Sequence, residues 1–307
     1  MALIKFTKMH GCGNDYVYVD CTSGFTLENE AEAARKLSDR HFGIGSDGLV
    51  LIKKGKVADF EMLMYNADGS RSQMCGNGIR CVGKYLYDHK LTNGSEFTVE
   101  SMGAIKKLTL VSGQAGAKVS CLKVDMGKPI LQAGKIPVKY NESFSSVINE
   151  KKSDCKITLG SKVIMHPLEI EGKEYKVTCV SMGNPHAVVF IDKKPSDFPV
   201  CQLGPYFENN DFFPERTNTE FAYVEDRRTI WMRVWERGTG ETLACGTGTC
   251  ATVVAAILNG LVDAGEKITV HLLGGDLEIE WSGHEEDSVF MTGPAETVFE
   301  GSVSFPD

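Results

Sequence analysis

Two cysteines stand in nearly the same local sequence, and their type and spacing point directly to chemistry. Cys75 opens the run Cys-Gly-Asn-Gly, and Cys245 opens Cys-Gly-Thr-Gly later in the chain. Each run follows a strand-like segment and a polar loop, and each precedes a helix-like segment. A cysteine at a helix N-terminus faces unpaired backbone N–H groups and the positive end of the helix dipole, which lowers the thiol pKa. Each thiol is therefore predicted to act as an acid or a base.

The glycines beside both cysteines predict where a substrate would lie. Glycine lets a backbone approach a ligand closely, and the N–H groups of a helix N-terminus bind carboxylate or phosphate. A carbon acid held between a thiolate and a thiol could lose a proton to one and gain a proton from the other. Such a step inverts a stereocentre and needs no cofactor if the helix N-termini stabilise the developing charge.

The offset in numbering that separates Cys75 from Cys245 recurs elsewhere and indicates an internal duplication. At this offset Gly13-Asn14 is repeated as Gly183-Asn184, and the strand-like run 59–66 aligns without gaps on 229–236. The sequence therefore predicts two related halves of ordinary domain size. The N-terminal half, with Cys75, is predicted to span residues 1–122 plus 292–307, and the C-terminal half, with Cys245, residues 123–291.

Short strand-like runs dominate the chain and must position these residues. Helical patterns are fewer, and three are predicted: Leu27–His41 with Thr26 as its N-cap, Gly78–His89 and Gly248–Leu258. The glycine-rich run 41–48 follows a helix rather than a strand, so it is interpreted as a turn. Strands in series with isolated helices predict an α+β fold.

Composition excludes several classes of function. The 307 residues include 33 Lys and Arg against 41 Asp and Glu, a formal net charge of −8 with no basic cluster, which argues against nucleic acid and anionic membranes as partners. The ten cysteines are spread along the chain without a CxxC pair, as in a reduced cytoplasmic protein. No signal pattern opens the chain, and the longest wholly apolar run is Val253–Leu258. Walker A, HExxH and dinucleotide-binding motifs are absent from the sequence, so no cofactor and no metal are expected.

Seven motifs together resemble the diaminopimelate epimerase family, in the family's order and over essentially the whole chain. They are Gly11-Cys-Gly-Asn-Asp15, Tyr65-Asn-Ala-Asp-Gly-Ser70, Met74-Cys-Gly-Asn-Gly-Ile-Arg-Cys81, Ser181-Met-Gly-Asn-Pro-His186, Phe213-Pro-Glu-Arg-Thr-Asn218, Trp235-Glu-Arg-Gly-Thr-Gly-Glu-Thr242 and Ala244-Cys-Gly-Thr-Gly248. The resemblance implies cofactor-independent interconversion of LL- and meso-diaminopimelate, in lysine and peptidoglycan-precursor synthesis. It also implies two pseudo-symmetric domains, each a mostly antiparallel sheet wrapped around a central helix, and a homodimer.

The resemblance further implies a role for each site residue. Cys75 would donate and Cys245 abstract a proton in the LL-to-meso direction, with His186 and Glu236 supporting catalysis. The implied contacts to the zwitterionic substrate are Asn14, Asn66, Gly76, Asn77, Asn184, Asn218, Glu236, Arg237, Gly246 and Thr247. The other eight cysteines are expected to be mostly core thiols. Many relatives carry Gln where this chain has Gly48, so one substrate contact is expected to be absent.

Other interpretations of the same residues stay open at this point. Asn14, Asn66 and Asn184 stand in turns, where asparagine often serves the backbone, and Glu236-Arg237 could be a solvated charge pair. A proline or hydroxyproline racemase would use similar two-thiol chemistry on a smaller substrate. A non-catalytic binding protein with a thiol switch would use the two cysteines without proton transfer.

Overall fold

The chain divides into two compact units. A computed structural model describes residues 2–72, 75–111, 119–139 and 160–305. The first unit comprises Met1–Asp125 with Thr292–Asp307, and the second comprises Met126–Met291. The chain passes from the first unit to the second within the strand Cys121–Gly127 and returns within the strand Val289–Pro294.

The described residues include seventeen strands and four α-helices. The chain first forms β1 (Ala2–Gly11), β2 (Asn14–Asp20), α1 (Glu30–Ser38), β3 (Gly48–Lys54), β4 (Phe60–Asn66), α2 (Gly76–Asp88), β5 (Glu96–Ser101), β6 (Ala104–Val111) and β7 (Cys121–Gly127). It continues with β8 (His166–Ile170), β9 (Lys173–Ser181), β10 (Pro185–Phe190), α3 (Val200–Glu208), β11 (Asn218–Asp226), β12 (Thr229–Glu236), β13 (Gly240–Thr242), α4 (Gly246–Leu258), β14 (Lys267–Leu272), β15 (Gly275–Glu280), β16 (Val289–Pro294) and β17 (Glu296–Phe305).

The sheet of the first unit is mostly antiparallel and follows chain order. β1 pairs with β17 on one side and with β2 on the other, and β3 to β7 follow in sequence. Among the pairs named here, β2–β3 and β4–β5 are parallel and the others are antiparallel. Strand β7 alternates buried and half-buried side chains, with Leu122, Val124 and Met126 inside, as a strand with one buried face requires.

Helix α2 forms the centre of the first unit. Every residue from Gly76 to Leu86 is buried, and the helix contacts β1, β2 and β6. A helix buried on all sides is enclosed by other elements rather than laid on a surface. Gly83 permits this close packing, because a Cβ there would lie 2.4 Å from Leu122 Cδ2. The sheet is therefore wrapped around α2.

The second unit repeats this arrangement. The pairs β8–β9, β9–β10, β11–β12, β12–β13 and β14–β15 are antiparallel, while β10–β11 and β12–β14 are parallel. Helix α4 is buried at Gly246 and from Gly248 to Ala256, and it contacts β9, β10, β11 and β15. The offset that relates the two cysteines also relates α3 to α1 and α4 to α2, at both ends of each helix.

The helix predictions are correct in type but not in every boundary. Helices α2 and α4 begin two residues earlier than predicted, because their glycine-rich first turns have little helical propensity and hid the start. The N-cap of α1 is Asn29, whose side chain accepts from Glu32 N at 3.0 Å, so the prediction of Thr26 is wrong. No helix among the described residues is long and apolar enough to cross a membrane.

Candidate active site

The first thiol caps the central helix of its unit. Cys75 has extended backbone angles (φ −125°, ψ 114°), and its sulfur accepts a hydrogen bond from Gly78 N at 3.3 Å. The thiol in turn donates to Asn14 Oδ1 at 3.0 Å. The structure therefore brings together two residues that the sequence separates by 61 positions and that were both predicted to belong to the site.

Asp47 fixes which end of the Asn14 carboxamide faces the sulfur. Asn14 Nδ2 donates to Asp47 Oδ2 at 2.8 Å, which leaves Oδ1 to accept from Cys75. The same carboxylate accepts from Asp15 N at 3.1 Å and from Arg40 at 2.9 Å. Asp47 was not predicted as a site residue, although it lies in the glycine-rich run 41–48. The feature that could have identified Asp47 is a carboxylate directly before Gly48 in a glycine-rich turn.

A charge network anchors the strand that carries Asn14. Asp15 lies 2.6 Å from Lys8 Nζ and 2.8 Å from Arg40 Nη2. Burial alone would raise the pKa of Asp15, but hydrogen bonds from Arg40 and Lys8 and their positive charges lower it below the ordinary value. The start of β2 is therefore held at a defined position beside Cys75.

Three further predicted residues of this unit have contacts of their own. Asn66 Nδ2 donates to Ser70 Oγ at 3.0 Å within the turn after β4. The buried Asn77 accepts from Arg80 Nη2 at 2.9 Å through its side chain. Gly76 and Asn77 are the first residues of α2, where no intrahelical carbonyl accepts the backbone N–H groups. A helix N-terminus of this kind is a favourable place for an anionic group.

Steric constraints explain why residue 48 is a glycine. A Cβ at this position would lie 2.0 Å from Tyr65 O and 2.7 Å from Tyr16 Cε1. Any side chain would have to displace a backbone carbonyl of the neighbouring strand, so no residue other than glycine fits here without a shift of the backbone. The space beside this strand is occupied by the ring of Tyr16, which is 5% exposed.

The second thiol caps α4 in the same way but has a different environment. Cys245 has φ −116° and ψ 109°, and its sulfur accepts from Gly248 N at 3.4 Å and lies 3.5 Å from Thr247 Oγ1. Gly246 and Thr247 begin the helix, so their N–H groups are likewise available to an anion. The geometry of the two helix N-termini is therefore nearly the same.

The pKa of Cys245 is raised, which corrects the prediction that its helix position favours the thiolate. Burial is the largest cause, followed by the negative charges of Glu236 and Glu220. The hydrogen bonds from Thr247 and Gly248 lower the pKa, but they do not outweigh these effects. Burial and these two carboxylates therefore favour the protonated thiol of Cys245 over its thiolate.

Glu236 and Arg237 are neighbours in the sequence, but their side chains make different contacts. Burial raises the pKa of Glu236, although its hydrogen bond from Thr242 and the nearby His186 lower it in part. Arg237 Nη1 donates to Glu215 O at 2.8 Å. Among the described residues no ion pair joins the two side chains, so each has its own set of contacts.

Asn218 makes two hydrogen bonds within its own unit. Its side chain is buried, accepts from Arg237 N at 2.9 Å and donates to Pro185 O at 2.9 Å. It therefore ties the Glu236-Arg237 turn to the start of β10. Its direct contact with a substrate stays a prediction.

His186 is fully buried and has a partner on each ring nitrogen. Nδ1 lies 2.7 Å from Glu220 Oε1, and Nε2 lies 3.1 Å from Asn184 Oδ1. His186 and Asn184 were predicted together and do lie together. Glu220 was missed, although a glutamate between Thr219 and Phe221 in an otherwise uncharged stretch of strand is a recognisable signal.

Most of the remaining cysteines are core thiols, as expected. Cys12, Cys21, Cys81, Cys179 and Cys250 are buried. Burial raises the pKa of Cys21 to about 11 and that of Cys81 to about 12, so both are unreactive at neutral pH. Cys121 is half-buried, Cys201 is exposed and is not a core thiol, and Cys155 lies outside the described residues.

Comparisons with known proteins show the family to which the chain belongs. A family model for diaminopimelate epimerase matches residues 6–132 and 178–298. The chain is 52% identical over 300 residues to a diaminopimelate epimerase of Acetivibrio thermocellus, with 98% of each chain covered. It is 51% identical over 307 residues to one of Methanococcus maripaludis, covering 98% of this chain and 99% of the relative. The chain belongs to the diaminopimelate epimerase family.

Solved structures confirm the α+β fold at low sequence identity. A phenazine biosynthesis protein of the PhzF family from Bacillus anthracis has a TM-score of 0.65 at 16% identity, with 99% of this chain and 100% of that chain covered. A hydroxyproline epimerase from Agrobacterium vitis, with bound trans-4-hydroxy-L-proline, has a TM-score of 0.64 at 13% identity, with 99% and 93% covered. The curated relatives in turn make this family member an enzyme of the isomerase class.

Proposed function

We propose that this chain interconverts LL- and meso-diaminopimelate, with Cys75 and Cys245 as the acid–base pair. The observation that carries the proposal is that each thiol caps the buried central helix of its own unit, in nearly identical geometry. Relatives about half identical in sequence are diaminopimelate epimerases, which supports the choice of substrate. The two halves predicted from the sequence, residues 1–122 plus 292–307 and residues 123–291, would then be the two halves of one epimerase.

The proposed reaction is a pair of proton transfers. In the LL-to-meso direction, the Cys245 thiolate takes the α-proton, and the electron pair of the broken C–H bond stays on the carbon and its carboxylate. The Cys75 thiol gives its proton to the opposite face and becomes the thiolate. In the reverse direction the two residues exchange roles. Asn14 supports this assignment because its oxygen accepts the Cys75 S–H hydrogen at 3.0 Å, which favours the protonated donor.

The surrounding groups suit a zwitterionic substrate. The N–H groups of Gly76, Asn77, Gly246 and Thr247 would bind the reacting carboxylate and stabilise the charge that develops on it. Arg237 suits the second carboxylate, and the buried Glu236 suits an ammonium group. Asn66 and Asn184 would contribute amide hydrogen bonds. These transfers require no cofactor.

Burial and the nearby carboxylates raise the pKa of Cys245, so its ionisation would be coupled to substrate binding. A thiolate formed from a thiol of raised pKa is a stronger base, but a general base works best when its pKa lies near the operating pH. Binding of a substrate ammonium near Glu236 would offset the negative charge that opposes ionisation. The Cys245 thiol would then lose its proton to water and act as the thiolate base. We further propose, from family membership, that the enzyme acts as a cytoplasmic homodimer in lysine and peptidoglycan-precursor synthesis.

Isotope exchange tests the proposal against its alternatives. The protein is incubated separately with LL-diaminopimelate and with L-proline in deuterated water, and α-deuterium and stereochemistry are read by mass spectrometry and chiral chromatography. Deuterium incorporation with formation of the meso isomer is expected for diaminopimelate alone. Deuteration of proline alone would support a proline racemase. Exchange in neither substrate would favour a non-catalytic thiol-switch protein.

A further inference from the structure

Glu220 is a buried carboxylate that the proposed reaction does not use. It is 0% exposed, and its Oε1 lies 2.7 Å from Nδ1 of His186, which is also 0% exposed. Its other oxygen, Oε2, is buried without a hydrogen-bond partner among the described residues. An unsatisfied buried carboxylate oxygen is costly, so its retention needs an explanation beyond packing.

Glu220 also lies close to the Cys245 sulfur. A Cβ placed on Gly248 would lie 2.4 Å from Glu220 Oε1 and 3.3 Å from Cys245 Sγ. The two atoms are therefore at most about 5.7 Å apart, the sum of those distances. At that range a charge changes the proton affinity of a neighbouring group strongly. Gly248 has no side chain because the carboxylate occupies that space.

The first unit shows that the fold itself does not require this pair. At the equivalent positions of the internal repeat, Tyr16 stands for His186 and Val50 stands for Glu220, and both are buried. The equivalent parallel strands β2 and β3 form with the same register as β10 and β11. Buried ion pairs are seldom more stabilising than apolar residues of similar size. Stability therefore does not explain why the second unit contains the Glu220–His186 pair.

We propose that Glu220 is a positioning residue of the second thiol centre, which holds the His186 ring through Nδ1 and keeps a negative charge beside the Cys245 sulfur. Held this way, the ring presents Nε2 to Asn184 Oδ1 at 3.1 Å, and the carboxylate makes the Cys245 thiolate a stronger base once it forms. The catalytic part of this proposal rests on the proposed function.

Other titratable groups come from the strands and the helix of this centre. Cys179 on β9 also has its pKa raised, mainly by burial and then by Glu220. His186 comes from β10 and Glu236 from the end of β12, and Cys250 lies one turn further along α4. Two carboxylates, Glu236 and Glu220, therefore act on Cys245, and His186 lies against the second of them.

The test is Glu220→Gln, which removes the charge and keeps the shape. The rate of Cys245 alkylation by iodoacetamide is measured against pH, with the modified peptide quantified by mass spectrometry, beside the kcat and KM of epimerisation. The pH midpoint of alkylation is expected to fall by about one unit or more, because a nearby negative charge is lost. The kcat is expected to fall by up to about 10-fold with little change in KM, because the Cys245 thiolate becomes a weaker base and the His186 ring is no longer held. Glu225→Gln, on the exposed end of the same strand, is the matched control and should change neither.

Two outcomes would overturn the proposal: an unchanged midpoint, or a shifted midpoint with an unchanged kcat in an enzyme that epimerises diaminopimelate. If the wild-type protein does not act on diaminopimelate, the alkylation midpoint still tests the effect of Glu220 on Cys245, so the two failures are distinguishable. If the glutamine variant does not fold, Glu220→Asp keeps the charge on a shorter side chain. Its midpoint is expected near that of the wild type, and a fall of a full pH unit would contradict the proposal.

Discussion

Asp47→Ala is expected to slow the enzyme by releasing the Asn14 carboxamide beside Cys75. In the structure Asn14 Nδ2 donates to Asp47 Oδ2 at 2.8 Å, and this contact helps to set which end of the amide faces the sulfur. A hydrogen bond to a charged group contributes about 1.5–3 kcal/mol. The Asp47 side chain is 40% exposed, so solvent screening reduces this to about 1–2 kcal/mol.

This energy sets the expected kinetic effect. A loss of about 1–2 kcal/mol corresponds to a fall of about 5- to 30-fold in the equilibrium constant for holding Asn14 with its amide oxygen against the sulfur, relative to conformations in which the side chain is flipped or turned away. The kcat/KM for LL-diaminopimelate is expected to fall by up to the same factor. Asp47→Asn, which can still accept from Asn14 without a charge, should fall between the wild type and the alanine variant.

Steady-state kinetics with chiral product analysis, at matched circular dichroism and melting temperature, provides the measurement. Asp59→Ala is the control, because Asp59 is an exposed acid of the same unit that bonds Thr98 away from the site. It should keep wild-type kcat/KM. If folded Asp47→Ala remains within about 2-fold of the wild type, the orientation of Asn14 does not depend on Asp47 and the reasoning is wrong.

Two further predictions concern stability. Gly48→Ala should lower the free energy of unfolding by about 3 kcal/mol in urea titrations, because its Cβ meets Tyr65 O at 2.0 Å, whereas Gly160→Ala, with no atom within 4 Å, should change it by less than about 1 kcal/mol. Equal effects of the two substitutions would contradict this. The depressed pKa of Asp15 means that its stabilising contribution is complete above its unfolded pKa and is lost as pH falls through the lower folded value. Urea titrations from pH 6 to pH 3 should therefore show a shallower loss of stability for Asp15→Asn than for the wild type, and identical slopes would refute the assignment.

The sequence predicts local features of this protein well. The N-terminal position of both cysteines on helices follows from Cys-Gly-x-Gly and its repeat, and the structure has both as N-caps. Helix α3 was missed because Pro199 precedes it and both Gly204 and Pro205 lie inside it. Gly204 is there for packing, since a Cβ would lie 2.3 Å from Trp235 Cδ2. Applying the offset of the internal repeat to α1 would have revealed the helix.

Long-range effects could not be predicted. The position of Cys245 on α4 predicts a lowered thiol pKa, yet burial and the charges of Glu236 and Glu220 raise it. Both effects depend on which strands enclose the helix. Likewise, the contact between Glu220 and His186 requires the parallel register of β10 and β11, and Asn14 meets Cys75 only through the fold. Sequence identifies these residue types, whereas tertiary structure sets their chemistry.

The most direct test of the central claim is α-proton exchange by single-thiol variants. Cys75→Ala and Cys245→Ala are each incubated with LL- and with meso-diaminopimelate in deuterated water, and deuterium and configuration at the α-carbon are followed separately. Both variants are expected to epimerise at least about 100-fold more slowly than the wild type, since each lacks one of the two proton-transferring groups. Any residual exchange should retain configuration and be confined to the isomer whose proton faces the remaining thiol. Epimerisation by either variant within about 10-fold of the wild-type rate would contradict the two-thiol account.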